Sequence, residues 1–221
     1  MFRLIPEGTI TSPRGFTAWA AHAGIKSEGA LDLGVLYSDV PCTVAGLFTT
    51  NRIKAAPVVL SQSRLARKRA QTIVVNSGCA NACTAERGHA DAIEMARLAA
   101  RKLRISIEDV LVASTGTIGT YLPMKQIEKG IKGLSLSQEH GHELARAIMT
   151  TDTSPKEIAG ILEIDGKNVI IGGIAKGAGM IHPNMATLLC FLATDANVNS
   201  DLLQAMLRRA VDVSFNMLTI D

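Results

Sequence analysis

Residues 176–196 read KGAGMIHPNMATLLCFLATDA and change character halfway. Lys176 stands among small residues, Pro183 bends the chain, and an apolar run begins at Thr187. The first half reads as a loop and the second as a buried strand. A threonine commonly starts a strand, because its branched β-carbon suits the pleated surface. That is the plain structural reading of Thr187. A chemical reading asks for more, since a threonine hydroxyl within a chain is a weak nucleophile without an adjacent base. Were the bond between Ala186 and Thr187 cut, the freed α-amine would titrate near pH ~8. It could then serve Thr187 as general base. Ala186 leaves room around such a bond, and Pro183 fixes the approach. The residues by themselves leave both readings open.

Working outward, residues 157–177 read as a hairpin that turns at Asp165-Gly166. Ser200 reads as the cap of a helix with Leu203, Met206, Leu207, Ala210 and Val213 inward. Ala92, Met95, Ala96, Ala99 and Leu103 form one stripe, which predicts a helix over 85–103 with Thr84 as its N-cap. Pro123 suits the first position of a helix carrying Met124, Ile127, Ile131 and Leu134, and another helix runs over 138–149. Segments 15–26, 31–39, 42–51, 56–61, 71–78 and 109–114 read as short strands, with 63–70 a basic helical turn. The apolar run in 71–78 predicts a strand covered on both faces. Strands and helices alternate in blocks with hairpins among them. This predicts a mixed α/β (α+β) fold, layered sheets with packed helices, in one domain over 1–221.

The 221 residues can bury a core without metal or disulfide staples. With 47% hydrophobic and 19% charged residues, the chain is globular rather than disordered. A net charge of +3 and 4% aromatics do not make a nucleic-acid surface. No apolar run reaches the length of a membrane span, and Pro6 and Pro13 break the N-terminus where a signal peptide would need its apolar middle. The expected location is the cytoplasm, with neither nucleic acid nor membrane as partner. Cys42, Cys79, Cys83 and Cys190 read as buried structural thiols, and the five histidines show no metal-ligand spacing. Two glycine turns, 114–119 and 176–181, complete neither the dinucleotide fingerprint nor the P-loop. A non-catalytic phosphate- or nucleotide-binding module stays open as a different class; it predicts an uncut chain.

Longer motifs narrow the choice. VVNSGCANACT (74–84), VASTGTIG (112–119), AIMTTDTSPK (147–156) and the opening stretch occur in order across the chain. With them the sequence resembles the glutamate N-acetyltransferase family, the ornithine acetyltransferases of arginine biosynthesis. The resemblance implies self-cleavage between Ala186 and Thr187, giving an α-subunit over 1–186 and the start of a β-subunit over 187–221, in an α2β2 heterotetramer. It implies that Thr187 takes an acetyl group from N-acetylornithine as an ester and passes it to glutamate. Acetyl-CoA is a further donor in many members; no other cofactor and no metal is implied. By position, the oxyanion hole falls on Thr115 and Gly116, and the substrate contacts on Thr150, Lys176 and Thr187. The implied fold is the layered one shared with self-processing aminopeptidases, and an N-terminal-nucleophile aminopeptidase or amidase is the nearest alternative. Cys79 and Ala85 depart from the asparagine and glycine usual in the family. Family members continue for roughly as many residues again beyond Asp221, so the chain is expected to be a fragment with an incomplete site.

Overall fold

The computed structural model describes residues 2–27, 29–185 and 187–220. Its strands form two four-stranded sheets. In the first, β2 (Phe16–Ala21) and β3 (Leu33–Thr43) pair antiparallel, β3 pairs antiparallel with β4 (Arg69–Cys79), and β4 pairs parallel with β5 (Val110–Thr117). In the second, β1 (Phe2–Leu4), β6 (Lys156–Ile164), β7 (Lys167–Lys176) and β8 (Leu189–Thr194) lie antiparallel in that order. The β6–β7 hairpin turns at Asp165 and Gly166, with φ of 49° and 72°, the left-handed pair that a tight hairpin needs. The expectation of a mixed fold with layered sheets is met.

Helices α1 (Ala56–Leu65), α2 (Ala85–Leu103) and α3 (Met124–Lys132) cover one face of the first sheet. Val74 and Val112 from that sheet pack there against Met95, Ala96 and Ile127. The opposite face, with Ala18, Leu36 and Val75, meets helix α4 (Gly141–Ala147) and the inner face of the second sheet through Ile174 and Ala193. Strand β4 is thus buried on both faces, as its apolar run predicts. Adjacent residues Val74 and Val75 enter different cores. Helix α5 (Ser200–Asp212) lies at the edge, tied to the body by Gln204 on Gly46 and Lys68 on Asp201. No helix among the described residues is long and apolar enough to cross a membrane.

Several local expectations are corrected. Residues 56–61 are the start of helix α1, not a strand. The buried stripe is Pro57, Leu60, Ser61 and Arg64, and two of its members are polar, so no apolar helical period shows. Ser61 donates to the Val112 carbonyl at 2.6 Å and Arg64 to the Val110 carbonyl at 2.6 Å. Those bonds let a hydroxyl and a guanidinium face the sheet. Residues 44–55 are irregular rather than strand. The helix over 138–149 is a short 3-10 turn followed by α4. Thr84 sits at the N-cap of α2, but its hydroxyl donates to Asn81 Oδ1. Asn199, not Ser200, caps α5. Met206 of α5 and Val213 just past its end are exposed at 54% and 69%, so the expected inward stripe points largely to solvent. Cys83 is exposed, against the buried thiol expected.

Candidate functional site

The site is built where side chains from the two sheets come together, Lys176 from the second reaching Thr115 of the first. Strands β4 and β5 run parallel to Gly78 and Gly116, which lie opposite each other. Gly116 has φ 129°, and a side chain there would place its Cβ 2.6 Å from the Cys79 nitrogen. Only glycine permits that approach and that conformation. Buried Asn76 donates its side-chain N–H to the Cys79 carbonyl at 2.9 Å, fixing the bend of β4. Thr115 and Gly116 therefore end β5 on a stiff support.

The second sheet supplies Lys176 at the end of β7, opposite Leu189 of β8. The Lys176 side chain runs inward and its ammonium donates to Thr115 Oγ1 at 3.3 Å. It is only 5% exposed, and burial pushes its pKa below the ordinary lysine value, with Asp152 opposing and Lys156 adding to the shift. Asp152 joins the remaining pieces. Its carboxylate accepts from Lys156 Nζ at 2.6 Å, from the Gly177 N–H at 2.8 Å and from the Thr150 N–H at 3.3 Å. Burial pushes its pKa upward, but those three donors outweigh it and hold the carboxyl below the usual range.

Thr187 lies on the approach to β8, exposed, with φ 59°. Asn184 and Met185 each have φ 63°. Such values are uncommon outside glycine and anomalous for a branched residue. The turn is held from below: Ile181 and Ile220 exchange backbone hydrogen bonds at 2.7 and 2.8 Å, and the Asn184 N–H donates to Asn216 Oδ1 at 2.9 Å. A Cβ on Gly177 would lie 3.5 Å from the Thr187 carbonyl, so the two backbones run close together. Ala186 lies outside the described residues. Of the residues singled out in the sequence, Thr115, Gly116, Thr150, Lys176 and Thr187 thus gather around Lys176 and Asp152.

A cleft of about 930 Å³ opens beside them, lined among others by Lys26, Gly78, Thr117, Arg146 and Thr150. Its rim is shaped by Asp32, which is wholly buried. One Asp32 oxygen accepts from the Ala23 N–H at 2.7 Å, and the other from Gly24, Ile25 and Lys26 at 3.1, 2.6 and 2.9 Å. Asp32, Asp152, Lys26 and Arg146 were not among the sequence candidates. Asp152 sat within a quoted motif, AIMTTDTSPK; Asp32 had only the signal of a lone acid leading an apolar strand. Among the described residues no group of three or more His, Cys, Asp or Glu side chains could hold a metal ion.

The chain is similar to known proteins over most of its length. Residues 17–221 match the model of the ArgJ family. An arginine biosynthesis bifunctional protein ArgJ from Dehalococcoides mccartyi is 56% identical over 220 residues, which is 99% of this chain and 54% of that protein. The chain thus spans about half the length of the curated relatives it matches. An ornithine acetyltransferase solved with ornithine, from Mycobacterium tuberculosis, is 37% identical, with a TM-score of 0.77 over 86% of this chain and 100% of that one. In fold alone the likeness extends to an L-aminopeptidase D-Ala-esterase/amidase of Ochrobactrum anthropi, a variant of the Ntn hydrolase fold. That protein is 14% identical, with a TM-score of 0.54 over 92% of this chain and 67% of that one.

Proposed function

The chain belongs to the ArgJ family, and from that premise we propose that it forms part of an acetyltransferase working through Thr187. The chain would be cut before Thr187, leaving residues 1–186 as one subunit and opening the next at residue 187. The observation that carries the reading is the convergence just described. Lys176 holds Thr115, Asp152 holds both Gly177 and Thr150, and Thr187 enters beside Gly177.

Cleavage begins when the Thr187 hydroxyl attacks the carbonyl carbon of Ala186. The peptide nitrogen leaves as an amine, and water hydrolyses the resulting ester. Left-handed backbone at Asn184, Met185 and Thr187 supports this, because such conformations store of order 1–3 kcal/mol each and cutting the chain releases it. The solved M. tuberculosis chain supports it too. It is matched whole by 86% of this chain, whereas curated relatives run to about twice this chain's length.

The freed Thr187 amine then takes the proton of its own hydroxyl as that oxygen attacks the acetyl carbonyl of N-acetylornithine. The Thr115 hydroxyl and the Gly116 N–H donate to the oxyanion that forms. Lys176 sharpens this geometry. By donating to Thr115 Oγ1 it occupies a lone pair, which leaves the Thr115 proton to point at the oxyanion. Collapse returns the proton to the leaving amine, ornithine departs, and the amine of glutamate takes the acetyl group from the ester. Acetyl-CoA would serve as a second donor at the same threonine. Two cut chains of each kind would associate as α2β2.

The test uses the chain expressed with the C-terminal half its relatives carry. Mass spectrometry is expected to find two fragments meeting at Ala186 and Thr187, and N-acetylornithine plus glutamate should yield N-acetylglutamate. Thr187→Ala should abolish both. Release of acetate to water with no transfer to glutamate would favour an amidase on this fold instead.

A further inference from the structure

The turn that carries the proposed cut is held by residues from the far side of that cut. Asn184, Met185 and Thr187 all have left-handed backbone, and Thr187 is branched at its β-carbon. Left to itself, such a chain would relax toward extended conformations. It is anchored on both sides. Downstream, Leu189 begins β8 and pairs with Lys176 of β7. Upstream, the Asn184 N–H donates to Asn216 Oδ1 at 2.9 Å, and Ile181 exchanges backbone hydrogen bonds with Ile220. Asn216 and Ile220 both lie behind α5, in residues that follow the cut in sequence.

Asn216 is itself fixed. Its side-chain N–H donates at 2.9 Å to Oδ1 of Asp212, the last residue of α5, which leaves its oxygen for the Asn184 N–H. Its backbone belongs to the short 3-10 turn Phe215–Met217. The Ser214 hydroxyl joins that turn to α5 by donating to the Ala210 carbonyl at 2.6 Å. Asp212, Asn216 and Asn184 thus form a relay of two hydrogen bonds from a helix end to the strained turn. We propose that Asn216 is a positioning residue for self-cleavage, holding Asn184, Met185 and Thr187 in their left-handed form, a role that rests on the cut proposed above. In that step the Thr187 oxygen bonds to the Ala186 carbonyl carbon, the peptide C–N bond breaks, and the nitrogen leaves as an amine with the hydroxyl's proton. Water then divides the ester into the Ala186 carboxyl group and the Thr187 hydroxyl. Asn216 makes and breaks none of these bonds. It raises the share of chains whose turn is already bent for the attack.

The test follows cleavage in the chain with its C-terminal half, made by cell-free synthesis and sampled over time by mass spectrometry. Asn216→Leu nearly keeps the side chain's size and removes both hydrogen bonds. It should slow cleavage about tenfold, the loss expected for one well-placed hydrogen bond. Once fully cut, it should transfer acetyl with the wild-type kcat. Asn216→Asp sets two carboxylates against each other at residues 212 and 216 and should be slow as well. Adding Asp212→Asn to it reverses donor and acceptor, keeps an oxygen for the Asn184 N–H, and should restore the rate. Gln204→Leu is the control for mere loosening. It frees α5 from Gly46 and should lower the melting temperature without slowing the cut. In the uncut Thr187→Ala chain, Asn216→Leu should speed hydrogen exchange over residues 181–185. A wild-type cleavage rate in Asn216→Leu would overturn the inference and leave the cut and the acetyl transfer standing. So would unchanged exchange, a Gln204→Leu chain slowed as much, or a charge swap that melts like wild type and restores nothing. A wild type that is never cut would sink self-cleavage itself, and the role of Asn216 with it.

Discussion

The two sheets share one core and differ in what covers them. The sheet of β2, β3, β4 and β5 is packed on both faces, by α1, α2 and α3 outside and by α4 and the other sheet inside. Among the described residues, the sheet of β1, β6, β7 and β8 is packed on its inner face alone. Its outer face carries Ile158 and Leu192, 56% and 54% exposed, and edge strand β1 adds exposed Phe2 and Leu4. The candidate site takes Thr115 and Gly116 from the first sheet and Lys176 from the second, with Thr187 just ahead of β8. One wall is anchored in a closed core and the other hangs from an open sheet. In the function proposed above, the groups that would stay fixed against a developing charge sit on the closed wall. The residue whose backbone would change on the proposed cutting sits on the open one.

The largest expected effect tests the closed sheet. Met95 is fully buried between α2 and the strands. Met95→Ala should lower unfolding free energy by about 2–5 kcal/mol, through lost burial and the cavity left behind. Denaturant titration measures it. A loss below ~1 kcal/mol would mean that this core is no tighter than the open face, and the contrast would fail.

The next effect lies at the joint between the sheets. Asp152→Asn removes the charge that holds Lys156 and the N–H groups of Gly177 and Thr150. A loss of roughly 1–3 kcal/mol is expected at neutral pH, with a larger fall in acetyl transfer than in melting temperature. The sign of the pH effect follows from the depressed carboxyl pKa. The contribution is complete above the unfolded value of ~4 and is lost as pH falls through the lower folded value. The variant should therefore show a flatter acid limb of stability than wild type. Identical acid limbs would remove Asp152 from the joint.

The chain's sequence made some of this legible and concealed the rest for physical reasons. Helix α2 was readable to its ends, because a buried stripe of alanines and Met95 repeats at the helical period. The hairpin at Asp165-Gly166 was readable because its turn demands those residues. Helix α1 was hidden because Ser61 and Arg64, polar by type, satisfy themselves on strand carbonyls. The site residues came from the resemblance of long motifs, while periodicity alone made Thr187 an ordinary strand start. Asp32 and Asp152 escaped notice because most of their partners are backbone N–H groups, which no sequence pattern displays. Helix α5 misled because the apolar residues of its stripe outnumber those buried here: Met206, and Val213 just past its end, face solvent, and Val211 is its one buried side chain.

The smallest expected effect is the sharpest test of the contrast. Leu192 and Ile158 point outward from β8 and β6, and over half of each is open to solvent. A side chain that is already exposed has little burial to lose. In this chain alone, Leu192→Ala and Ile158→Ala should each change stability by no more than about 0.5 kcal/mol. The same two substitutions, made with the C-terminal half present, decide what the open face is. If they remain near zero, the face stays bare and the asymmetry belongs to the finished molecule. If they rise toward the loss at Met95, the face has been covered, and both walls of the site then rest on closed cores. In that case Lys176 and the approach to Thr187 would gain their rigidity only when the second half is in place. Fragment cleavage should then be slower in this chain alone than in the completed protein, a difference that mass spectrometry over time would read directly.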